Sequence, residues 1–305
     1  MTRLRVAARL RVAARLGLGA ALLCVVGWRV GAGPFVAGLR SVNAAALAAA
    51  VGVGAVTTAC CAIRWRAVAR SLGAADIALP DAFVAYYRSQ FVNTVLPGGV
   101  VGDLHRGVSH GRGGGDVGRG VRAVVWERSA GQAVQLLVAA AVLLALPSKL
   151  TWWIPAALGA VVVAALLVAW TRATLPRRVW PLIVTSSAVT VAGHAATFVL
   201  AARTAGVVAS TATLLPLAVL ALVAMAVPLN VGGWGPREGV TAWSFGAAGL
   251  GAGQGVASAT VYGVLAFAAV SPGAAVLLVD WLRRPARARR PIEGRAPWRT
   301  ARTSS

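Results

Sequence analysis

Charged residues follow two interruptions, rich in glycine and proline, in a chain that is otherwise largely apolar. The first lies in residues 91–106 (FVNTVLPGGVVGDLHR) and the second in residues 228–238 (PLNVGGWGPRE). Each stretch predicts a broken helix, because proline lacks a backbone donor and glycine takes backbone angles closed to other residues. A helix that restarts after a break presents free N–H groups to anions, and an adjacent arginine matches phosphate oxygens. These residues therefore favour phosphate binding.

The first interruption predicts a helix that breaks near Pro97 and restarts near residues 100–103. Asp103 and Arg106 are three positions apart, so they share one face of the restarted helix. Broken backbone at membrane depth is tolerated only against protein or a water-lined cavity. The charges after this break are therefore expected to face the inside of the protein.

The second interruption predicts a new helix that begins at its proline. Gly235 is expected at the N-cap and Pro236 at the first helical position, which suits proline. Glu238 then occupies the third position, where a carboxylate favours the helix N-terminus. Two interrupted segments, one in each half of the chain, are typical of a transporter with a site at the membrane midplane.

The candidate binding residues come from the two interruptions and from an acidic–arginine pair inside an apolar block. A charge at the centre of a bilayer costs roughly 2.5–3.5 kcal/mol, so each such charge needs a reason. For the charges that follow a break we favour ligand binding, whereas for the pair inside the block structural pairing and ligand binding are both open. The candidates are Asn93, Gly98, Gly99, Asp103, Arg106, Glu127, Arg128, Gly232, Gly233, Arg237 and Glu238.

Within this set, Arg106 and Arg237 are expected to hold a lipid phosphate, aided by glycine N–H groups. The carboxylates of Asp103, Glu127 and Glu238 are expected to orient the arginines or to contact a headgroup. His194, in the middle of a predicted span, is expected to bond to a neighbouring helix. We predict no metal or cofactor site and no enzymatic activity, because the sequence contains no standard ligand spacing and no catalytic constellation.

Composition places these motifs in an all-α, polytopic membrane bundle. The chain has 305 residues, of which 58% are hydrophobic and 12% charged, with a mean hydropathy of +0.74. Soluble domains are about half apolar and about 25% charged. The net charge of +22 is concentrated at the two ends, which fits cytoplasmic flanks on an anionic leaflet. Nucleic-acid binding is disfavoured because the tails show no matching motif.

The apolar blocks predict six full spans and two re-entrant segments. Residues 80–101 are expected to enter and return from the cytoplasmic side, and residues 211–253 from the outer side. In the alternative, residues 211–228 and 239–253 form two further short spans, which gives eight full spans in total. The predicted full spans are about 15–36, 42–63, 124–146, 152–170, 181–202 and 256–281.

Charge and composition divide the chain into a basic N-terminal flank (1–15), a transmembrane domain (16–282) and an arginine-rich tail (283–305), with both termini cytoplasmic. Arg64 and Trp65 are interpreted as the cytoplasmic end of the second span, with the tryptophan at the membrane interface. The glycine-rich residues 111–120 are interpreted as a flexible cytoplasmic connection.

Together the motifs resemble the lysylphosphatidylglycerol synthase transmembrane-region family, a flippase-like family of bacteria and archaea. The resemblance covers roughly residues 10–285. Val101 stands where the family usually has glycine, and Pro236 where it usually has a small or branched residue. The matching residues are Arg64 and Trp65; Asn93, Pro97, Gly98, Gly99, Gly102, Asp103 and Arg106; Glu127, Arg128 and Gly131; and Gly232, Gly233, Trp234, Gly235, Arg237 and Glu238.

The resemblance implies a multi-pass protein of the bacterial inner membrane that moves a lipid between leaflets. The implied lipids are aminoacyl-phosphatidylglycerol and polyprenyl-linked sugars. Only a short tail follows residue 282, so the chain is not expected to make lysylphosphatidylglycerol itself. The alternative function is a non-transporting partner subunit of a membrane glycosyltransferase or envelope-synthesis complex. A membrane enzyme that acts on lipid phosphates is a third, weaker option.

Overall fold

The described part of the protein is helical throughout. The computed structural model describes residues 24, 28–96, 99–145, 153–172, 174–226 and 235–283. These ranges contain no strand, which confirms the predicted all-α fold. Their helices are α1 (Gly33–Ser41), α2 (Ala44–Ser71), α3 (Leu79–Val95), α4 (Val101–Gly113), α5 (Val117–Ala145), α6 (Trp153–Arg172), α7 (Trp180–Thr204), α8 (Thr211–Ala226), α9 (Pro236–Ala247), α10 (Ala252–Val270) and α11 (Pro272–Arg283).

Several of these helices have the length and apolar composition of membrane spans. In the described ranges, four stretches qualify: Ala44–Ser71, Val117–Ala145, Arg177–Thr204 and Ala252–Arg283. Two shorter apolar helices, Ala157–Arg172 and Thr211–Ala226, accompany them. The choice between six and eight spans stays a prediction. Most of the predicted span 15–36 lies outside the described residues, as do the basic flank 1–15 and nearly all of the tail 283–305.

The second span is longer than the sequence predicts. Its predicted end is residue 63, but α2 continues to Ser71. Arg64 and Trp65 therefore lie inside the helix, and they are only 6% and 0% exposed. The prediction of an interface tryptophan is wrong, because the Trp65 ring packs edge-on against His110 inside the protein.

The glycine-rich segment 111–120 is not a flexible connection, and that prediction is also wrong. It contains the end of α4, a short turn and the start of α5. A Cβ on Gly120 would lie 2.3 Å from the carbonyl oxygen of Gly107, so the two helices touch backbone to backbone. Small residues permit such close helix packing in membranes. The sequence places Glu127 in the first turns of the predicted span 124–146, but α5 begins at Val117, so Glu127 lies well inside the helix.

Two long helices, α2 and α5, organise the bundle around the first broken segment. Helix α2 packs against α3, α5, α7 and α10, and α5 packs against α2, α4, α6, α7 and α8. The short helices α3 and α4 pack against each other. This arrangement brings side chains from α2, α3, α4, α5 and α7 to one place.

Candidate functional site

The first interruption breaks the helix where the sequence predicts. Helix α3 ends at Val95 and α4 begins at Val101. Gly99 has a φ of +62°, a left-handed conformation that favours glycine. A Cβ on Gly102 would lie 2.1 Å from the carbonyl oxygen of Ser89, so only glycine allows α4 to approach α3 this closely. Gly98 lies outside the described residues.

Asn93 and Ser89 on α3 hold the start of α4 and its aspartate. The Asn93 side-chain oxygen accepts a 2.7 Å hydrogen bond from the Gly102 backbone N–H. The Asn93 amide donates to one Asp103 oxygen at 2.7 Å, and the Ser89 hydroxyl donates to the other at 2.9 Å. Asn93 therefore satisfies an N–H of the new helix and positions its acidic residue at the same time.

Arg106 is buried in the middle of the site, 2% exposed. Its Nη2 lies 3.0 Å from an Asp103 oxygen and 3.4 Å from a Glu127 oxygen. The guanidinium carbon lies 4.0 Å from the centre of the Tyr86 ring and 4.4 Å from that of the Trp65 ring, which are cation–π contacts. The predicted pairing of Asp103 with Arg106 on one helical face is confirmed, and both groups face inward.

Glu127 on α5 is the central acceptor of the site and is 0% exposed. Arg64 donates to its Oε1 from Nε at 2.8 Å and from Nη2 at 2.5 Å. The Tyr86 hydroxyl donates to the same oxygen at 3.2 Å. Arg64 also donates to the Ser187 hydroxyl at 2.8 Å. Glu127 and Arg64 thus tie α2, α3, α5 and α7 together.

Arg128, next to Glu127 on α5, is partly exposed, unlike Arg64 and Arg106. Its Nη2 lies 2.6 Å from an Asp103 oxygen, while 49% of its side chain is accessible. The group contains the arginines Arg64, Arg106 and Arg128, and the carboxylates Asp103 and Glu127. We call these five residues the charge cluster. With three cations and two anions, the cluster carries a surplus positive charge, and Arg128 presents it at the surface of the site.

Two adjoining cavities meet at Arg128. The first, about 260 Å³, is bordered by Arg64, Arg128 and several neutral polar side chains, and we call it the polar cavity. The second, about 230 Å³, has apolar residues of α2 and α10 on one side and the polar side chains of Gln90, Asn93 and Thr94 on α3, and we call it the adjoining cavity. The two cavities share Arg128, His194, Met225 and Tyr262. Apolar residues of the adjoining cavity include Ala50, Val53, Ala266, Ala269 and Val270.

The second interruption also restarts as predicted. Helix α9 begins at Pro236, and Gly235 has a φ of +117°. The Gly235 N–H donates to a Glu238 oxygen at 2.7 Å, which confirms the predicted capping role of that carboxylate. Arg237 is 2% exposed and pairs with the adjacent Glu238, and its guanidinium carbon lies 5.3 Å from the centre of the Tyr262 ring. Gly232 and Gly233 lie outside the described residues.

The structure thus separates the predicted site residues by role. Asn93, Asp103, Arg106, Glu127 and Arg128 come together, whereas Arg237 and Glu238 form a separate pair. The site also contains Arg64, Ser187 and Gln132, which border the polar cavity and are not among the predicted site residues. The available signal for Arg64 is an arginine that interrupts an apolar run.

His194 connects the cavities to the second broken segment. The Tyr262 hydroxyl lies 3.3 Å from His194 Nδ1, which confirms the predicted bond of this histidine to another helix. Tyr262 in turn lies under Arg237. Where side chains are described, no group of three or more His, Cys, Asp or Glu residues stands close enough to hold a metal ion.

Comparison with protein families identifies a match to the first half of the chain. A family model described as the lysylphosphatidylglycerol synthase TM region matches residues 12–179, more than half of the chain. The matched part contains the first broken segment and the charge cluster, whereas the second broken segment lies beyond it. No curated protein matches the chain.

Proposed function

We propose that this chain, which belongs to the lysylphosphatidylglycerol synthase transmembrane-region family, binds a phosphate-bearing lipid and moves it between membrane leaflets. It would do so in a bacterial inner membrane, with both termini in the cytoplasm and without enzymatic chemistry. Family membership supports a membrane role, and the charge cluster supports an anionic ligand.

The observation that carries the proposal is the half-exposed side chain of Arg128 at the junction of the two cavities. The cluster has one positive charge more than its carboxylates balance, and the Arg128 side chain presents that charge to both cavities. Arginine's planar fork suits the oxygens of a phosphate. Arg64 borders the same polar cavity and adds a second positive charge.

This assignment differs from the roles that the sequence predicts for Arg106 and Arg237. Both side chains are buried and paired with carboxylates. Neither borders either of the two cavities. We propose that Arg106 and Arg237 stabilise the restarted helices and that Arg128 and Arg64 meet the phosphate.

The pair of cavities suits an amphiphile. The polar cavity offers arginines and neutral hydrogen-bonding groups to a headgroup. The adjoining cavity offers the apolar wall of α2 and α10 to the start of a hydrocarbon chain. Because both cavities reach Arg128, a lipid phosphate at this residue would have its headgroup on one side and its chains on the other.

The test is lipid translocation in proteoliposomes with wild type, Arg128→Ala and Arg122→Ala. Arg122 is an exposed arginine on the same helix that borders neither cavity, so it controls for loss of charge. We expect fluorescent phosphatidylglycerol to cross in the presence of wild type and Arg122→Ala. Arg128→Ala should reduce the rate at least about tenfold, the cost of one charged hydrogen bond.

If Arg128→Ala translocates the lipid at the wild-type rate, Arg128 does not bind the lipid phosphate. Absence of phosphatidylglycerol translocation by folded wild type would contradict the transport proposal. Circular dichroism and size-exclusion profiles of the reconstituted variants establish that each one is folded.

A second candidate function is a non-transporting partner subunit of a membrane glycosyltransferase. The observation that favours it is the extent of internal pairing, since Asp103, Glu127 and Glu238 all bond to arginines of the same chain. In this case the charges serve to hold broken helices together. Recovery of a stoichiometric enzyme from native membranes, without lipid movement by the isolated chain, would favour this function.

A further inference from the structure

The walls of the two cavities contain cations but no anions. Among the residues that the structure describes, no aspartate or glutamate borders either cavity, whereas Arg128 borders both and Arg64 borders the polar one. The internal segments that the structure does not describe contain no acidic residue either; they are residues 97–98, 146–152, 173 and 227–234. A positively charged headgroup would therefore meet like charge in the polar cavity.

The carboxylates nearest the cavities already have hydrogen-bond and ion-pair partners inside the protein. Asp103 receives hydrogen bonds or ion pairs from Ser89, Asn93, Arg106 and Arg128. Glu127 is held by Arg64, Arg106 and Tyr86. To bind an ammonium group, either carboxylate would have to leave a buried arginine unpaired, which is unfavourable in a buried site.

The other acidic residues that the structure describes do not border the cavities. Asp76 and Asp116 pair with Arg70 and Arg119, and Asp280 pairs with Arg88. Asp81 lies in the first turn of α3, and Glu238 is bonded at the second break. Since the chain contains only eight acidic residues, Glu293 in the arginine-rich tail completes the set.

Neutral hydrogen-bonding groups complete the polar cavity. Gln132, Gln135 and Thr190 border it, together with Ser187 and His194. The Gln132 side-chain nitrogen is buried and has no hydrogen-bond partner among the described residues. A buried donor without a partner is costly, and an oxygen of a bound ligand would satisfy it. This lining suits hydroxyl groups next to a phosphate.

Building on the proposed function, we infer that the lipid headgroup is one phosphate joined to a neutral, hydroxyl-bearing group such as glycerol or a sugar. A cationic aminoacyl headgroup is rejected. Selectivity arises from repulsion, because the positive charges of Arg64 and Arg128 repel an ammonium group and no carboxylate in the cavity wall balances it. A buried charge without a partner is far more costly than a hydroxyl that can bond to Gln132 or Thr190.

The test compares phosphatidylglycerol with lysyl-phosphatidylglycerol, which differ in the charge of the headgroup. Full-length protein in phosphatidylcholine vesicles with a trace of each labelled lipid would be assayed for binding and translocation. We expect wild type to prefer phosphatidylglycerol at least about tenfold, since like charges juxtaposed at a binding site are strongly unfavourable.

A substitution can reverse the preference. Gln132→Glu places a carboxylate of similar size in the wall of the polar cavity. We expect this variant to bind lysyl-phosphatidylglycerol better than wild type does and phosphatidylglycerol less well. The matched control is Gln254→Glu, the same substitution at an exposed position of α10 that borders neither cavity, and it should keep the wild-type preference.

Soluble glycerol phosphate distinguishes a lipid from a free phosphate ester. It should compete weakly, because it lacks the chain that the adjoining cavity accommodates. Competition by glycerol phosphate as strong as that by the lipid would overturn the lipid assignment.

If wild type binds and translocates lysyl-phosphatidylglycerol as well as phosphatidylglycerol, or better, the inference is wrong and the proposed function stays in place. An unchanged preference in Gln132→Glu would likewise overturn it. Failure of wild type to bind or move either lipid would contradict the inference and the proposed function together.

Discussion

The two broken segments share a sequence design but use their charges differently. Each has a proline, a glycine pair and charged residues directly after the break. At the first break, Asp103 and Arg106 join a cluster that extends to Arg64 on α2 and Glu127 on α5. At the second break, Arg237 pairs with the adjacent Glu238, which in turn caps its own helix at Gly235.

The difference lies in the balance of charge. The charge cluster at the first break has three arginines and two carboxylates, and the third arginine, Arg128, is half exposed. The pair at the second break is buried and neutral. The same local motif can therefore stabilise a break or present a charge to a ligand. Side chains from distant helices decide which of the two occurs.

The largest predicted effect is the loss of Glu127. Glu127→Gln removes the negative charge shared by Arg64 and Arg106, both buried, and we expect it to lower the free energy of unfolding by about 3–5 kcal/mol. Glu238→Gln should cost less, about 1–3 kcal/mol, because one arginine is affected and an amide oxygen can still accept from Gly235.

Equilibrium unfolding of both variants in detergent, followed by circular dichroism, measures this order. A larger loss for Glu238→Gln than for Glu127→Gln would show that the second break is the more heavily stabilised of the two. The charge cluster at the first break would then not be the main stabilising group of the bundle.

A smaller effect is expected at Gly131. A Cβ at this position would lie 2.9 Å from the guanidinium carbon of Arg64, which is held by Glu127 and Ser187 and cannot move freely. We expect Gly131→Ala to destabilise by about 1 kcal/mol, the lower end of overpacking costs.

The control is Gly159→Ala on α6, where a Cβ meets no atom within 4 Å. This substitution should be neutral or stabilising by up to about 1 kcal/mol, because alanine is the better helix former. Thermal unfolding of the two variants compares them, and equal shifts would show that Arg64 is not fixed as described.

The features predicted correctly from sequence rest on local rules. The break before Val101 and the helix start at Pro236 follow from proline and glycine chemistry. The capping by Glu238 follows from its spacing to Gly235. Each of these needs only a few neighbouring residues, so a single sequence contains the necessary information.

The features that were missed depend on distant partners. Arg64 bonds to Glu127, which is 63 residues away, and no local pattern links them. The sequence predicts Trp65 at the interface because tryptophans beside arginines commonly lie there, but the longer α2 places it against Arg106. The glycines near 111–120 indicated a loop by propensity, whereas tertiary packing of α4 on α5 overrides that preference.

We propose above that Arg128, at the first break, holds the lipid phosphate. The most direct measurement is native mass spectrometry of protein purified with phosphatidylglycerol, comparing wild type, Arg128→Ala and the control Arg122→Ala. We expect one tightly held lipid in wild type and in Arg122→Ala, and an affinity at least about tenfold lower in Arg128→Ala. Retention of that lipid with wild-type affinity by Arg128→Ala would contradict it.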